Sequence, residues 1–250
     1  MGVQAVEPRK ANGLATALNV IASPKEAFET LRDIPMWGWA FIIAIVLGLI
    51  GMLLEGPASR HASVAFLAHM QQTNPTFAAM SDAVKQKQLH DAANPPAWQQ
   101  IFGFVTLICV TLITALLNAV LLLIGNAIGR GQADFKRLWC ASMNIAVPTI
   151  GIAAVVLGLI TLLRGADSFN SIGDLAHALP GLGMLAPGIT GLLGGFLSAI
   201  TIFSIWGLFL NAGALQIIAR TSKGLAYGVA IVILVLGALM QGASAALFHF

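Results

Sequence analysis

Charge is what this 250-residue chain has least of: thirteen Lys or Arg and ten Asp or Glu make up 9% of it, against about a quarter in soluble proteins. So few charges cannot cover the surface of a water-soluble domain of this length. With 58% hydrophobic residues, the chain reads as an integral membrane protein whose main solvent is the bilayer. Cysteine is scarce as well. Cys109 lies inside an apolar run and Cys140 beside another, so neither metal-ligand spacing nor an outer-loop disulfide is available, and both read as packing residues. Residues 1–20 lack an apolar core followed by a small-residue cleavage site, which predicts that the first span itself directs insertion. The formal charge of +3 is scattered over short segments between apolar runs. That pattern orients a chain in a membrane and gives no reason to expect a nucleic-acid partner.

Ionisable residues are missing altogether from five apolar runs, at about 37–54, 101–125, 139–163, 191–215 and 225–248. Backbone polar groups in lipid must be satisfied within their own segment, so each run is expected to be a helix. The expected fold is all-α: a polytopic transmembrane bundle of five spans with an N-terminal amphipathic interface helix. Residues 1–36 form the N-terminal segment and 37–250 the five-span domain. Its connections are a polar outer loop (55–100), a short basic loop (126–138), a Gly/Pro-rich loop (164–190) and a tight loop (216–224). Ion-coupled transporters and proton pumps keep ionisable groups within their spans, so the empty spans argue against both.

Arg9, Lys10, Lys25, Arg32, Arg130, Lys136, Arg137, Arg220 and Lys223 fall on one side of this layout, and Arg60, Lys85, Lys87 and Arg164 on the other. The positive-inside rule then places the N-terminus in the cytoplasm and the C-terminus outside, with the bacterial inner membrane as the expected location. Before the first run, Ser23 is a suitable N-cap, Pro24 fits the first helical position and Glu26 completes a capping box, predicting a helix over 24–33. Leu14, Leu18, Ile21, Phe28, Leu31 and Ile34 give the segment an apolar side suited to the headgroup layer. Pro35 ends it, and Trp37 and Trp39 enter the membrane where amphipathic rings favour the interface.

Catalysis needs a nucleophile and a base, or a metal, within reach of each other. His61, His69 and His90 share the outer loop with Glu55, Asp82 and Asp91, but at separations that match no compact zinc pattern. They read as solvated loop residues, with a zinc site as the alternative, and His177 and His249 as isolated residues at the outer interface. No catalytic residue, metal ligand or cofactor is expected. The polar residues of the spans are neutral: Thr111, Thr114, Asn118, Asn144, Thr149, Ser198, Thr201, Ser204, Asn211 and Gln241. They read first as hydrogen-bonding glue between helices. The second reading is passive passage of lipid or a small solute through a polar cavity between spans two to four, with Asn118, Asn144 and Asn211 facing it.

Small residues recur at four-residue spacing (Gly125 and Gly129, Gly191 and Gly195, Gly224 and Gly228, Ala238 and Gly242), which predicts close helix contacts inside the bundle. The stretch from Leu179 to Gly188 reads as a surface loop with a buried tip, or else as a re-entrant segment lining a cavity. A helix over 76–90 is expected in the outer loop, with Phe77, Met80, Val84 and Leu89 on one face packing against the bundle.

Several of these residues form a recognisable order. Ser23, Pro24 and Phe28 precede Pro35 and Trp37; Gly131 to Arg137 (GQADFKR) precedes Pro148; Ser204 to Leu210 (SIWGLFL) precedes Lys223 to Ala226 (KGLA). The chain thereby resembles the bacterial form of the Yip (Ypt-interacting protein) domain family over residues 20–248. Met143 and Asn144 stand where Yip proteins often carry a Tyr, and the Asp-Leu-Tyr-Gly-Pro motif of the vesicle-trafficking members is absent. The resemblance therefore implies the fold and the membrane location, not a small-GTPase partner. The expected function is that of a non-enzymatic membrane scaffold or accessory subunit. It would contact membrane lipids, other membrane proteins or a second copy of itself through Phe28, Trp37, Phe135, Lys136 and Arg137. In a background with Cys109 and Cys140 replaced by Ala, a cysteine at Ser81 should react with a membrane-impermeant maleimide on intact cells, and one at Gln132 only after permeabilisation; the reverse order would invert the topology.

Overall fold

A computed structural model of the chain describes residues 12–185 and 188–248. Two short helices, α1 (Gly13–Ala22) and α2 (Pro24–Asp33), precede α3 (Gly38–Thr73), followed by α4 (Pro75–Ala78), α5 (Asp82–Ala93) and α6 (Ala97–Ile128). Next, α7 (Phe135–Ala146) runs through a π-helical turn, Val147–Ile152, into α8 (Ala153–Arg164). The chain continues through α9 (Ile172–Ala176), α10 (Leu182–Leu185), α11 (Gly191–Ala199), α12 (Ile202–Ile217) and α13 (Lys223–Phe248). The all-α membrane bundle is as expected; of the five expected spans, four are long apolar helices and the run at 191–215 forms two shorter ones. Among the described residues, four helical stretches are long and apolar enough to cross a membrane: α3, α6, the continuous run Phe135–Arg164, and α13.

The run at 191–215 is divided between α11 and α12. With 16 residues, α12 is only about 24 Å long, short of the roughly 30 Å hydrocarbon core. The division is stabilised by a cap and by a neighbouring strand-like segment. Thr201 Oγ1 accepts from the Ser204 N–H at 3.2 Å, and Ser204 Oγ accepts from the Thr201 N–H at 2.8 Å. Residues 180–182 run alongside: the Leu182 N–H donates to the Ile200 carbonyl and the Ile202 N–H to the Pro180 carbonyl, both at 3.0 Å. A Cβ at Gly181 would strike the Ile200 carbonyl, so only glycine lets the two backbones meet. This part of the Gly/Pro-rich stretch is thus packed into the bundle, while Ala186 and Pro187 lie outside the described residues, as do Arg9, Lys10 and His249.

Three further boundaries differ from expectation. The first span continues through Pro57 as far as Thr73, because Ala58 and Ala62 bury against Phe169, Leu175 and Ala178 and hold the extension in place. His61 and His69 therefore stand on a helix. The helix expected over 76–90 is instead α4 and α5, since Ser81 is extended. That break changes the helical phase and leaves Val84 exposed, while Gln71 Nε2 ties α3 to the Lys85 carbonyl at 3.1 Å. The basic loop is shorter than predicted, so Phe135, Lys136 and Arg137 form the first turn of α7.

The helix over 24–33 forms as predicted, but Ser23 makes no side-chain cap. It also closes α1, donating its N–H to the Asn19 carbonyl at 2.7 Å, and its backbone is committed to that end. Nor does the segment lie with its whole apolar side on the headgroups. Val20, Ala27, Phe28 and Leu31 are buried in one cluster with Cys140, Ile145, Leu210 and Ala214, while Leu14, Leu18 and Ile34 face outward. The two helices form a collar docked on α7 and α12. Two polar links secure it: Asn144 Nδ2 donates to the Met36 carbonyl at 3.0 Å and to the Cys140 carbonyl at 2.8 Å, and Arg137 Nε donates to the Arg32 carbonyl at 2.6 Å. Cys140 is buried as expected, whereas Cys109 lies on the exposed face of α6.

Close backbone approach sets the packing. A Cβ at Gly51 would meet the Ala154 backbone and one at Gly158 the Gly51 carbonyl, which binds α3 to α8. Of the predicted small-residue contacts, Gly125 abuts Val229, Gly129 abuts Leu225 and Thr221, and Gly195 and Gly242 bring α11 onto α13, with Ala238 buried. A Cβ at Gly191, Gly224 or Gly228 would meet nothing within 4 Å. Gly51→Ala should therefore destabilise the protein by about 1–3 kcal/mol, while Gly228→Ala should be neutral or stabilise it by up to about 1 kcal/mol, as read from detergent unfolding midpoints. Asn144→Ala should release the collar, raising amide exchange across residues 24–33 and costing about 1–3 kcal/mol.

Candidate functional site

At the collar end the connection between α6 and α7 is built around one side chain. Asn126 Nδ2 donates to the Ala133 carbonyl at 3.0 Å and its Oδ1 accepts from the Ala133 N–H at 3.2 Å, closing the loop across its base. The Gln132 N–H then reaches the Ala219 carbonyl at 2.9 Å, and Arg220 Nη1 reaches Gln132 Oε1 at 3.2 Å, joining this loop to the one after α12. Arg130 and Arg220 adopt positive φ, 50° and 56°, a conformation uncommon outside glycine. Gly131 is required here, because a Cβ would collide with Asn126 Oδ1 and the Ala219 carbonyl.

The five residues expected to make contacts are divided by this architecture. Asp134 caps α7, accepting from the Arg137 N–H at 2.8 Å and pairing with Arg137 Nη1 at 2.7 Å. Arg137 is thus committed inward, to Asp134 and to the collar. Phe28 is 1% exposed, so it is a core residue and offers no outer surface. Phe135 and Lys136 do face outward, with Phe135 42% exposed. Trp37 is also exposed on one side, and its ring stands edge-on to Trp139 and Phe41 at centroid distances of 6.0 and 5.9 Å.

At the opposite end, among the described residues, no three His, Cys, Asp or Glu side chains converge to hold a metal. His61 is occupied structurally, its Nδ1 lying 3.0 Å from the Phe169 carbonyl. Above it the Arg164 guanidinium lies 4.8 Å from the Phe169 ring centroid, a cation–π contact that closes this end of the bundle. His177 terminates α9.

Between the ends lies a cavity of about 740 Å³, within the roughly 300–1,000 Å³ of ligand pockets. Its origin is visible in the packing of α13. Gly125 and Gly129 hold α6 against Val229 and Leu225 near one end of α13, and α11 sits on Gln241, Gly242 and Ala245 near the other. The middle of α13 is left without a close partner on that side. Asn118 and Asn211 come together there: Asn118 Nδ2 donates to Asn211 Oδ1 at 2.9 Å and to Ser142 Oγ at 3.0 Å. Asn144 does not join them, because both its contacts go to the Met36 and Cys140 carbonyls. The three-asparagine cavity is therefore corrected to Asn118, Asn211 and Ser142.

Ser142 carries no motif of its own in the sequence; only its position on the same helical face as Leu138 and Ile145 signals that it is buried. Asn126, a polar residue at the end of an apolar run, was an available signal for the loop clamp. The π turn shapes the same wall. Pro148 has no N–H to give, and Thr149 Oγ1 donates to the Ile145 carbonyl at 2.8 Å, which lets the ladder shift register.

Neither the curated proteins nor the solved structures provide a match. The Yip1 domain matches residues 18–244, running from the collar through both ends of the cavity to the last turns of α13. This chain, a multi-pass integral membrane protein, belongs to the Yip1 domain family.

Proposed function

We propose that this protein works without catalysis, as a membrane scaffold or accessory subunit that binds another membrane protein at the collar end of the bundle. Its family consists in general of non-enzymatic membrane trafficking proteins. The observation that carries the reading is a rigid outward face: Phe135 and Lys136 project from the first turn of α7, next to a loop cross-linked by Asn126, Gln132 and Arg220. Exposed aromatic and cationic groups on a fixed frame favour binding, because little ordering entropy is lost when a partner arrives. The cation count supports a cytoplasmic placement of this face in a bacterial inner membrane. Arg137 and Phe28 contribute from within, by fixing α7 and the collar, and Trp37 flanks the face at membrane level.

Co-purification after gentle detergent extraction, read by native mass spectrometry, tests this. The wild type should retain a stoichiometric protein, either a different membrane protein or a second copy. Phe135→Ala with Lys136→Ala should lower that recovery about tenfold without changing the unfolding midpoint. Equal recovery by the variant would sink the reading.

A further inference from the structure

The cavity beside α13 has a definite chemistry that the scaffold reading does not use. We infer that it is a binding site for a neutral lipid whose uncharged hydroxyl or carbonyl end is held by Asn118, Asn211 and Ser142.

Three observations converge on that occupant. The first is access. The wall includes Leu117 of α6 at 45% exposure and Leu236 and Met240 of α13 at 40% and 63%. The same cavity that reaches the buried asparagines is therefore open to the lipid-facing surface between these two helices. A molecule entering at that level comes from the bilayer, and the apolar walls receive its chain.

The second observation is hydrogen-bonding capacity. Asn118 Nδ2 already serves both Ser142 Oγ and Asn211 Oδ1. Asn118 Oδ1, the Asn211 amide protons and the Ser142 hydroxyl proton have no protein partner among the described residues. Asn211 is only 5% exposed and Ser142 2%, so these groups are sheltered from bulk water while lining the cavity. An acceptor beside donors fits a hydroxyl group, and the donors alone fit a carbonyl.

The third is charge. Among the described residues, the cavity wall contains no Asp, Glu, Lys, Arg or His. An ionised headgroup drawn to the asparagines would be desolvated without a counter-charge, whereas a neutral end would not. The selectivity expected is thus for diacylglycerols, long-chain alcohols or esters over anionic phospholipids. Asn211 also lies 6 residues inside the end of α12 at Ile217, about 9 Å along the helix, so the polar groups sit within the bundle and not at its rim.

Photolabelling tests the site. The full-length protein is placed in phosphatidylcholine nanodiscs containing a trace of diacylglycerol with a diazirine on one acyl chain, irradiated, and digested for mass spectrometry. Adducts should concentrate on cavity-lining peptides of α6, α12 and α13, and should fall when unlabelled diacylglycerol is added. Oleyl alcohol and methyl oleate, each offering one half of the head chemistry, show by their competition whether the hydroxyl or the carbonyl is recognised. Asn118→Leu with Asn211→Leu should reduce labelling about tenfold. Gly237→Trp is an independent variant, since Gly237 lines the cavity, a Cβ there meets nothing within 4 Å, and the substitution adds bulk to the wall while leaving both asparagines unchanged. Labelling spread evenly over the exposed faces, or undiminished in Gly237→Trp, would overturn the site. Competition by phosphatidylglycerol as strong as by diacylglycerol, or by neither neutral probe, would overturn its selectivity for a neutral head.

Discussion

A backbone N–H or C=O left without a partner in lipid is costly enough that irregular backbone survives only where something nearby supplies the missing bond. Two departures from regular helix in this bundle meet that condition. At the division between α11 and α12, the Ile200 carbonyl and the Ile202 N–H are satisfied by residues 180–182, and the first turn of α12 by the Thr201 and Ser204 hydroxyls. At Pro148 the Thr149 hydroxyl fills the Ile145 carbonyl. These are local solutions with long-range results: the division shortens α12 and lets α11 cross onto α13, and the π turn moves Thr149 and Ile150 into the cavity wall.

The cavity follows from where the helices can and cannot approach. Glycine allows backbones to close up at two levels of α13, through Gly125 and Gly129 on one side and Gly195 and Gly242 on the other. Between those levels Ile233 and Leu234 line the open space. In lipid, where tails compete equally for apolar surface, association depends on close packing and a few hydrogen bonds. Space is therefore left wherever neither is present. Asn118, Asn211 and Ser142 supply the hydrogen bonds on the inner side of that space and join α6, α7 and α12 across it.

The collar shows the same balance at the water boundary. Phe28 and Leu31 bury apolar surface against α7 and α12, and Asn144 and Arg137 satisfy the carbonyls exposed at the collar's end. The asparagine clamp closes the adjoining loop directly before the helix turn that carries Phe135 and Lys136. Structural roles and surface roles are thus divided within one short motif: Arg137 and Asp134 hold, while Phe135 and Lys136 remain outward.

The membrane class, the helix over 24–33 and the close contacts at Gly125, Gly129, Gly195 and Gly242 were legible in the sequence. They depend on composition, on helical periodicity or on charge, which act over a few residues at a time. Other features were not. Phe28 and Leu14 look alike as apolar residues of the pre-span segment, yet one is core and the other surface, because the docking partner of Phe28 is α12, far along the chain. Asn144 and Asn211 are equally polar in equally apolar runs, and only the position of the collar decides that Asn144 turns to Met36 while Asn211 faces Asn118. The apolar run at 191–215 has the composition of a span, but its division depends on residues 180–182 arriving to pair with it. Sequence alone determined that this chain lives in lipid as helices, since solvent and backbone chemistry leave no other choice; tertiary structure decided which residues are core, clamp or cavity, since those roles belong to pairs of residues that only folding brings together.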